Sequence, residues 1–84
     1  MEADFSGDPT SGVAPLSVAF ANLSSGDFDT CSWLFGDGDS SSDCAGPSHA
    51  YDDPGTYTVT LTVSGPGGSD AETKTAYVLS LIHI

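Results

Sequence analysis

The segment TYTVTLTVS, residues 56–64, alternates polar and apolar side chains along its whole length. Threonine takes four of the polar positions, and the apolar positions are Tyr57, Val59, Leu61 and Val63. A period of two residues is that of a β-strand with one face buried and the other in water. We therefore predict a half-buried strand here, and this strand sets the fold class.

The chain on either side of this segment predicts more strands. LSVAFAN at 16–22, CSWLFG at 31–36 and ETKTAYVL at 72–79 alternate in the same way, while 3–6 and HAY at 49–51 are weaker candidates. Clusters of Gly, Pro, Asp and Ser separate these segments about every ten residues, as turns do. The spacing predicts an all-β fold, a sandwich of two antiparallel sheets with about seven strands.

The charge of the chain narrows the classes of partner. Twelve acidic residues stand against one lysine, so the formal net charge is −11. Phosphate backbones and anionic lipids would be repelled, which argues against nucleic acid and membrane surfaces as partners. No window of about 20 apolar residues predicts membrane insertion. An alternative interpretation of the acidity is adaptation to high salt, in which case NaCl should raise the melting temperature as strongly as CaCl₂ at matched ionic strength.

The two ends of the sequence indicate a piece of a longer protein. The start, MEADFSG, lacks the basic and apolar regions of a secretory signal. The ending resembles translated read-through of a sequencing adapter, so we predict one domain over residues 1–79 and a non-native tail over 80–84. The alternative for the tail is the true end of a last strand.

A hairpin is predicted within WLFGDGDSSSDC, residues 33–44. Asp37-Gly38 suits a two-residue turn, because both positions tolerate positive φ. That turn would place three pairs of residues opposite each other: Phe35 with Ser40, Trp33 with Ser42, and Cys31 with Cys44.

The last of these pairs predicts a disulfide between Cys31 and Cys44. Such a bond should add roughly 3 kcal/mol for a loop of this length, and it implies an oxidising compartment. Two free thiols in a reducing compartment are the alternative. A zinc site would need four ligands, and two Cys and two His at unrelated spacings do not supply one.

Three motifs in order resemble the PKD domain family, named after polycystic kidney disease: Trp-x-Phe-Gly-Asp-Gly at 33–38, Pro-x-His-x-Tyr at 47–51 and Pro-Gly-x-Tyr-x-Val at 54–59. The resemblance runs over residues 3–78. It implies an immunoglobulin-like β-sandwich of the kind common in secreted and surface proteins of bacteria and archaea. One departure is Leu34, where the family usually carries Asp.

The resemblance implies structural roles for the matching residues. Two aromatic residues would fill the core, two glycines would shape the hairpin end, and Tyr57 resembles the tyrosine-corner residue that ties a loop to a strand. The motif positions are Trp33, Phe35, Gly36, Asp37, Gly38, His49, Tyr51, Gly55 and Tyr57. The cysteine pair is not general to the family.

His49 is the residue that most resembles a catalyst by type. Catalysis would need a nucleophile and an orienting acid beside it. We predict instead a hydrogen bond between His49 and the Asp37 carboxylate across the hairpin end. Since no nucleophile-elbow motif is present either, the sequence predicts no enzyme activity.

Calcium is the cofactor that the acidic turns suggest, although no cofactor is required by the prediction. DGDSSSDCAGPS begins like a calcium-binding loop but has Ser42 and Ser48 at the positions that need Gly and Glu. Some members of the resembling family bind calcium at loops near the domain ends. The weak candidates here are Asp27, Asp29, Asp52 and Asp53, and the alternative is that these residues cap turns.

Together these observations predict a non-catalytic extracellular module of a larger secreted or cell-surface protein. It would space neighbouring domains and contact proteins or polysaccharides. The alternative is a docking module that binds insoluble chitin, cellulose or collagen for an attached hydrolase. Outward aromatic rings would favour that alternative, and alternation leaves three scattered candidates, Phe28, Tyr51 and Tyr77. Asn22-Leu23-Ser24 is in addition a glycosylation sequon at a strand end.

Overall fold

A computed structural model describes residues 2–26 and 28–82. These residues form eight β-strands and no helix, which confirms the all-β prediction. The strands are β1 (Phe5–Asp8), β2 (Ser11–Val13), β3 (Leu16–Asn22), β4 (Thr30–Leu34), β5 (Ser40–Ser41), β6 (Ser48–Tyr51), β7 (Gly55–Gly65) and β8 (Gly68–Leu81).

The strands build two sheets. The smaller has the order β1-β3-β6 and the larger the order β2-β8-β7-β4-β5. All pairings are antiparallel except that of β2, which runs parallel to the end of β8. β5 is the return strand of the predicted hairpin, whereas β2 was not predicted, because three residues are too few to show alternation. The larger sheet is therefore mixed rather than purely antiparallel.

The core lies between the two sheets, on the sides where alternation predicted it. Every second residue of β3 and β4 is buried. Trp33 lies at the centre, with the rings of Phe5, Phe20 and Phe35 at centroid distances of 5.4, 5.6 and 6.5 Å. The fully buried side chains with the largest volumes are Trp33, Tyr51, Phe5, Leu61, Val18, Val59, Val63 and Val78.

The hairpin that follows Trp33 differs from the predicted one by one residue. Trp33 pairs with Ser41, and the Phe35 amide donates to the Asp39 carbonyl at 3.2 Å. The loop therefore has three residues, and the prediction of a two-residue turn was wrong. The reason lies in Gly36, which has φ of 91° and passes so close to β7 that a Cβ would lie 2.5 Å from the Thr58 carbonyl oxygen.

The disulfide between Cys31 and Cys44 is nevertheless present, with the two Cα atoms 5.3 Å apart. This prediction is confirmed, although the register that suggested it was wrong. In the observed register Cys31 would face Asp43. β5 ends at Ser41, so the residues after it are no longer held in the ladder. The chain there brings Cys44, the residue after Asp43, to Cys31.

The end of the chain continues β8 beyond the predicted strand. Ser80 is buried and lies opposite Gly55, and Leu81 pairs with Val13 of β2. The pairing does not test whether residues 80–84 are native, so that division of the chain stays a prediction. Residues 83 and 84, with His83, lie outside the described part.

The chain enters and leaves the sandwich at opposite ends of its long axis. The Ala3 amide donates to the Asp70 carboxylate at 2.7 Å, near the β7–β8 turn, whereas Ser80 lies at the far end of β8 beside Gly55. The principal extents of the molecule are 48 × 19 × 19 Å. Within the described residues no helix could cross a membrane.

Candidate functional site

The hairpin end carries a cluster of ionisable residues, defined by Asp37, Asp39 and His49. The imidazole Nε2 of His49 lies 2.6 Å from Asp37 Oδ2 and 3.7 Å from Asp39 Oδ2. The predicted contact between His49 and Asp37 is thus found in the structure. The Asp39 amide donates to Asp37 Oδ1 at 3.1 Å, which holds that carboxylate in place.

Aromatic rings support His49 from two sides. Its imidazole stacks on Phe35 at 4.3 Å between centroids, with an interplanar angle of 6°. The Tyr51 ring meets it edge-on at 4.7 Å, and the Tyr51 hydroxyl donates to the Phe35 carbonyl at 2.9 Å. Among the described residues, only carboxylates approach the His49 ring nitrogens within hydrogen-bonding or ion-pairing distance. This environment positions an imidazole without presenting it to a nucleophile.

Burial and hydrogen bonding have opposite effects on the pKa of Asp37. Burial raises the pKa of this carboxyl, but the hydrogen bond from His49, the Asp39 amide and the charge of His49 together outweigh it, so the pKa lies below its usual value of 3.8. Burial, and then the nearby Asp37 carboxylate, raise the pKa of Tyr51.

The lowered pKa of Asp37 predicts acid-sensitive stability. A carboxyl with a folded-state pKa below its unfolded value stabilises the fold above the unfolded value and loses that contribution as pH falls through the folded value. The free energy of unfolding should therefore drop below about pH 4 more steeply in the wild type than in Asp37→Asn. Urea titrations at stepped pH would measure this difference. Asp39→Asn is the matched control, since the Asp39 side chain is 70% exposed; parallel curves for wild type and Asp37→Asn would contradict the assignment.

The cluster at the hairpin end is the one place in residues 2–26 and 28–82 where three potential metal-ligating groups converge. The calcium candidates lie elsewhere. Asp29 immediately precedes β4, and its amide donates to the Ser64 carbonyl, whereas Asp52 and Asp53 precede β7 at its opposite end. Asp29 therefore cannot share an ion with the other two, and Asp27 lies outside the described residues. Calcium binding stays a prediction.

The turn before β7 contains the predicted tyrosine corner. The Tyr57 hydroxyl donates to the Asp53 carbonyl, four residues upstream, at 2.7 Å. Desolvation, followed by the Asp53 charge, raises the pKa of Tyr57. Gly55 begins β7 just before this residue. The hydroxyl thus ties the turn to the strand, which is the geometry that the resemblance implies.

The three aromatic rings that were predicted to point outward are not exposed on a sheet surface. Tyr51 is fully buried, and Phe28 and Tyr77 pack against the core. Tyr77 faces inward because its hydroxyl accepts a hydrogen bond from the Gly7 amide at 2.8 Å. Tyr51 is buried because β6 pairs with β3, where it lies opposite Leu16. The prediction of outward aromatic residues was wrong.

Sequence analysis missed two structural residues. Asn22 Nδ2 donates to the Cys44 carbonyl at 3.1 Å and lies 3.7 Å from Cys31 Sγ, so the amide of the predicted sequon is already engaged at the disulfide. Lys74 places its Nζ 5.3 Å from the Phe5 ring centroid. Lys74 could have been singled out because it is the one Lys or Arg residue of the chain. Nothing in the sequence indicated that Asn22 would contact the cysteines.

The two sheets, the corner tyrosine and the disulfide define an immunoglobulin-like β-sandwich module. The family model for the PKD domain matches residues 2–79, and the chain belongs to that family. It is similar to the PKD1 domain of the Vibrio cholerae metalloprotease PrtV, with 36% identity, a TM-score of 0.72, and coverage of 92% of this chain and 94% of that one.

Two further similarities involve larger proteins. Collagenase ColA of Bacillus cereus is 46% identical over 43 residues, which are 51% of this chain but only 4% of the collagenase. A solved structure on the promiscuous specificity of carbohydrate-binding modules of the β-sandwich superfamily is 28% identical, with a TM-score of 0.82. That likeness covers 96% of this chain and 34% of the other.

Proposed function

We propose that this domain is a non-catalytic extracellular spacer and interaction module of a larger secreted or cell-surface protein. The observation that carries the proposal is the path of the chain, which enters beside Asp70 and leaves beside Gly55 at the other end of a body 48 Å long. Domains attached before and after it would be held apart by the length of β8, roughly 30 Å for the stretch between these contacts.

The disulfide that joins β4 to the segment before β6 supports this function. A disulfide restricts the unfolded chain and so keeps a small domain folded, which a spacer requires. Disulfides persist in oxidising surroundings, in keeping with an extracellular location. The similar PKD1 domain belongs to a metalloprotease, and the matching segment of ColA to a collagenase, so partners in the form of neighbouring domains are expected.

The spacer function predicts a fixed separation between flanking domains. In a fusion that joins two spin-labelled tag domains through residues 1–84, pulsed EPR should give one narrow distance distribution. Because the module is folded, this distribution should not change between about 0.1 and about 1 M NaCl. The matched control carries Trp33→Ala in the same fusion; an unfolded linker of this length should give a broad distribution, compressed by salt as the repulsion among its charges is screened. A broad or salt-dependent distribution for the intact module would contradict the proposal.

Docking to an insoluble polymer is the second candidate. Similarity to a structure of carbohydrate-binding modules and to a collagenase favours it. Against it, the rings that sequence analysis placed outward pack on the core. Co-sedimentation of residues 1–84 with chitin, cellulose and collagen separates the two functions. The spacer predicts no depletion from solution, whereas saturable depletion by one polymer would establish docking.

A further inference from the structure

The cluster of Asp37, Asp39 and His49 brings together donor atoms of two chemical types from both sheets. The two carboxylates belong to the loop between β4 and β5 of the larger sheet, and the imidazole belongs to β6 of the smaller sheet. Each side chain offers one donor atom, and the three atoms lie within 4.8 Å of one another. The cluster is therefore more than a group of acidic side chains on one turn, because it includes an imidazole nitrogen from a distant strand.

The spacing of these atoms is close to that of ligands around a tetrahedral metal ion. With bonds of about 2.0–2.2 Å to zinc, neighbouring donor atoms lie about 3.4 Å apart. His49 Nε2 lies 2.6 Å from Asp37 Oδ2 and 3.7 Å from Asp39 Oδ2. A change of less than about 1 Å in each of these two distances would therefore give the spacing that zinc requires. Asp39 can make such a movement, since its side chain is 70% exposed.

Neighbouring groups hold the other two side chains in place. The His49 ring packs against Phe35 and Tyr51, and the Asp37 carboxylate accepts a hydrogen bond from the Asp39 amide. The side chains of His49 and Asp37 are only 13% and 20% exposed. Ligands that are already oriented lose little conformational freedom when an ion binds. The exposed Asp39 leaves one side of the cluster open to an ion and its water molecules.

The charges of the chain favour a divalent cation at this cluster. Two carboxylates beside a neutral imidazole carry two negative charges, which a dication neutralises. The one Lys or Arg residue of the chain, Lys74, lies instead beside Asp4 and Glu72, at 3.7 and 4.0 Å. The net charge of −11 also raises the concentration of cations near the surface.

We propose that this cluster binds one divalent transition-metal ion, such as Zn²⁺, through His49 Nε2 and one carboxylate oxygen each of Asp37 and Asp39. Imidazole together with carboxylate suits zinc, copper and nickel, whereas calcium and magnesium are bound through oxygen ligands. Water completes the coordination, so this site differs from the four-ligand zinc site that the sequence does not supply. The Nε2 proton of the hydrogen bond with Asp37 moves to Nδ1 or to solvent when the metal binds.

A metal ion at this position joins the two sheets at the hairpin end. It links the loop after β4 to β6, and only the folded domain brings these ligands together. Zinc should therefore raise the melting temperature by mass action on the folded state. The spacer function does not depend on the ion, so the two proposals stand or fall separately.

Isothermal titration calorimetry with ZnCl₂ on residues 1–84 tests the proposal. All proteins are free of affinity tags and carry His83→Gln, because His83 is the other histidine of the chain and a potential zinc ligand. We expect one zinc ion per chain at about pH 7.5, where protons compete little for imidazole. Asp39→Ala should weaken binding about tenfold or more while keeping the contact between His49 and Asp37, and His49→Gln should weaken it further.

Glu2→Ala is the matched control for the loss of one carboxylate. Glu2 is exposed, and its backbone pairs with Ser25 beyond the end of β3, whereas His49 pairs with Val18 near the start of that strand. The substitution therefore removes the same charge at a distance from the cluster. It should leave the zinc affinity close to that of the parent protein, and zinc should still raise the melting temperature.

The proposal is wrong if ZnCl₂ gives no saturable binding up to about 1 mM. It is also wrong if Asp39→Ala and Glu2→Ala weaken binding equally, which would indicate general attraction by the acidic surface. Equal affinity for CaCl₂, lost in the same variants, would contradict the role of the imidazole. Circular dichroism without metal establishes whether each variant is folded; should His49→Gln be unfolded, Asp39→Ala decides the test, because its side chain is largely exposed.

Discussion

Replacing Trp33 with alanine is expected to leave the domain largely unfolded at room temperature. The indole is fully buried among the rings of Phe5, Phe20 and Phe35, and its Nε1 donates to the Asp43 carbonyl at 2.7 Å. Truncating a buried Trp costs about 3–5 kcal/mol, and a domain of this size has about that much stability in total. The substitution also leaves a carbonyl without its partner.

Circular dichroism during urea titration would measure the effect, because the variant lacks the one tryptophan needed for fluorescence. Trp33→Phe should be intermediate, since it keeps a ring but loses the hydrogen bond. Leu34→Ala, at the next position of β4 and exposed, should shift the free energy of unfolding by no more than about 0.5 kcal/mol. A Trp33→Ala domain with the midpoint of the wild type would mean that the core does not form around this residue.

Removal of the disulfide is expected to cost roughly 3 kcal/mol of stability. The two cysteines close a loop of 13 residues in sequence separation, and the bridge holds the segment after β5, which leaves the ladder at Ser41. The paired substitution Cys31→Ala with Cys44→Ala should lower the urea midpoint by an amount that matches this free energy. Treating the wild type with reductant should reproduce most of that shift.

The double variant is also its own control for the reductant, which should not change its midpoint. Asn22→Ala adds a second check, because it removes the side chain that donates to the Cys44 carbonyl while leaving the disulfide intact. Its cost should be near that of one hydrogen bond, about 1 kcal/mol. If reductant left the wild-type midpoint unchanged, the bridge would not contribute to stability in solution.

Much of the fold could be predicted because alternation is a local property. β3, β4, β7 and most of β8 were identified by the period of two, and the predicted buried sides of β3, β4 and β7 agree with the structure. β2 has no pattern of its own and exists only because the end of β8 lies beside it. A strand stabilised by its neighbour leaves little trace in its own residues.

The candidate site also has a part that the sequence predicted and a part that it did not. The contact of His49 with Asp37 followed from motif residues of known spacing, and it is present at 2.6 Å. Asp39 as a third member was not foreseen, because its position depends on the three-residue loop. The inward placement of Tyr51 was missed as well, since it depends on which strand β6 joins.

By itself, the sequence determined the class of fold, the buried faces of β3, β4 and β7, the cysteine pair and the family. Each of these follows from residue type and from spacing along the chain. Only the tertiary structure decided the hairpin register, the direction of Tyr77 and the burial of Tyr51. Those features depend on contacts between segments distant in sequence, such as Gly36 against the Thr58 carbonyl and Gly7 against the Tyr77 hydroxyl. Packing of one segment against another selects among local conformations that the residues alone allow equally well.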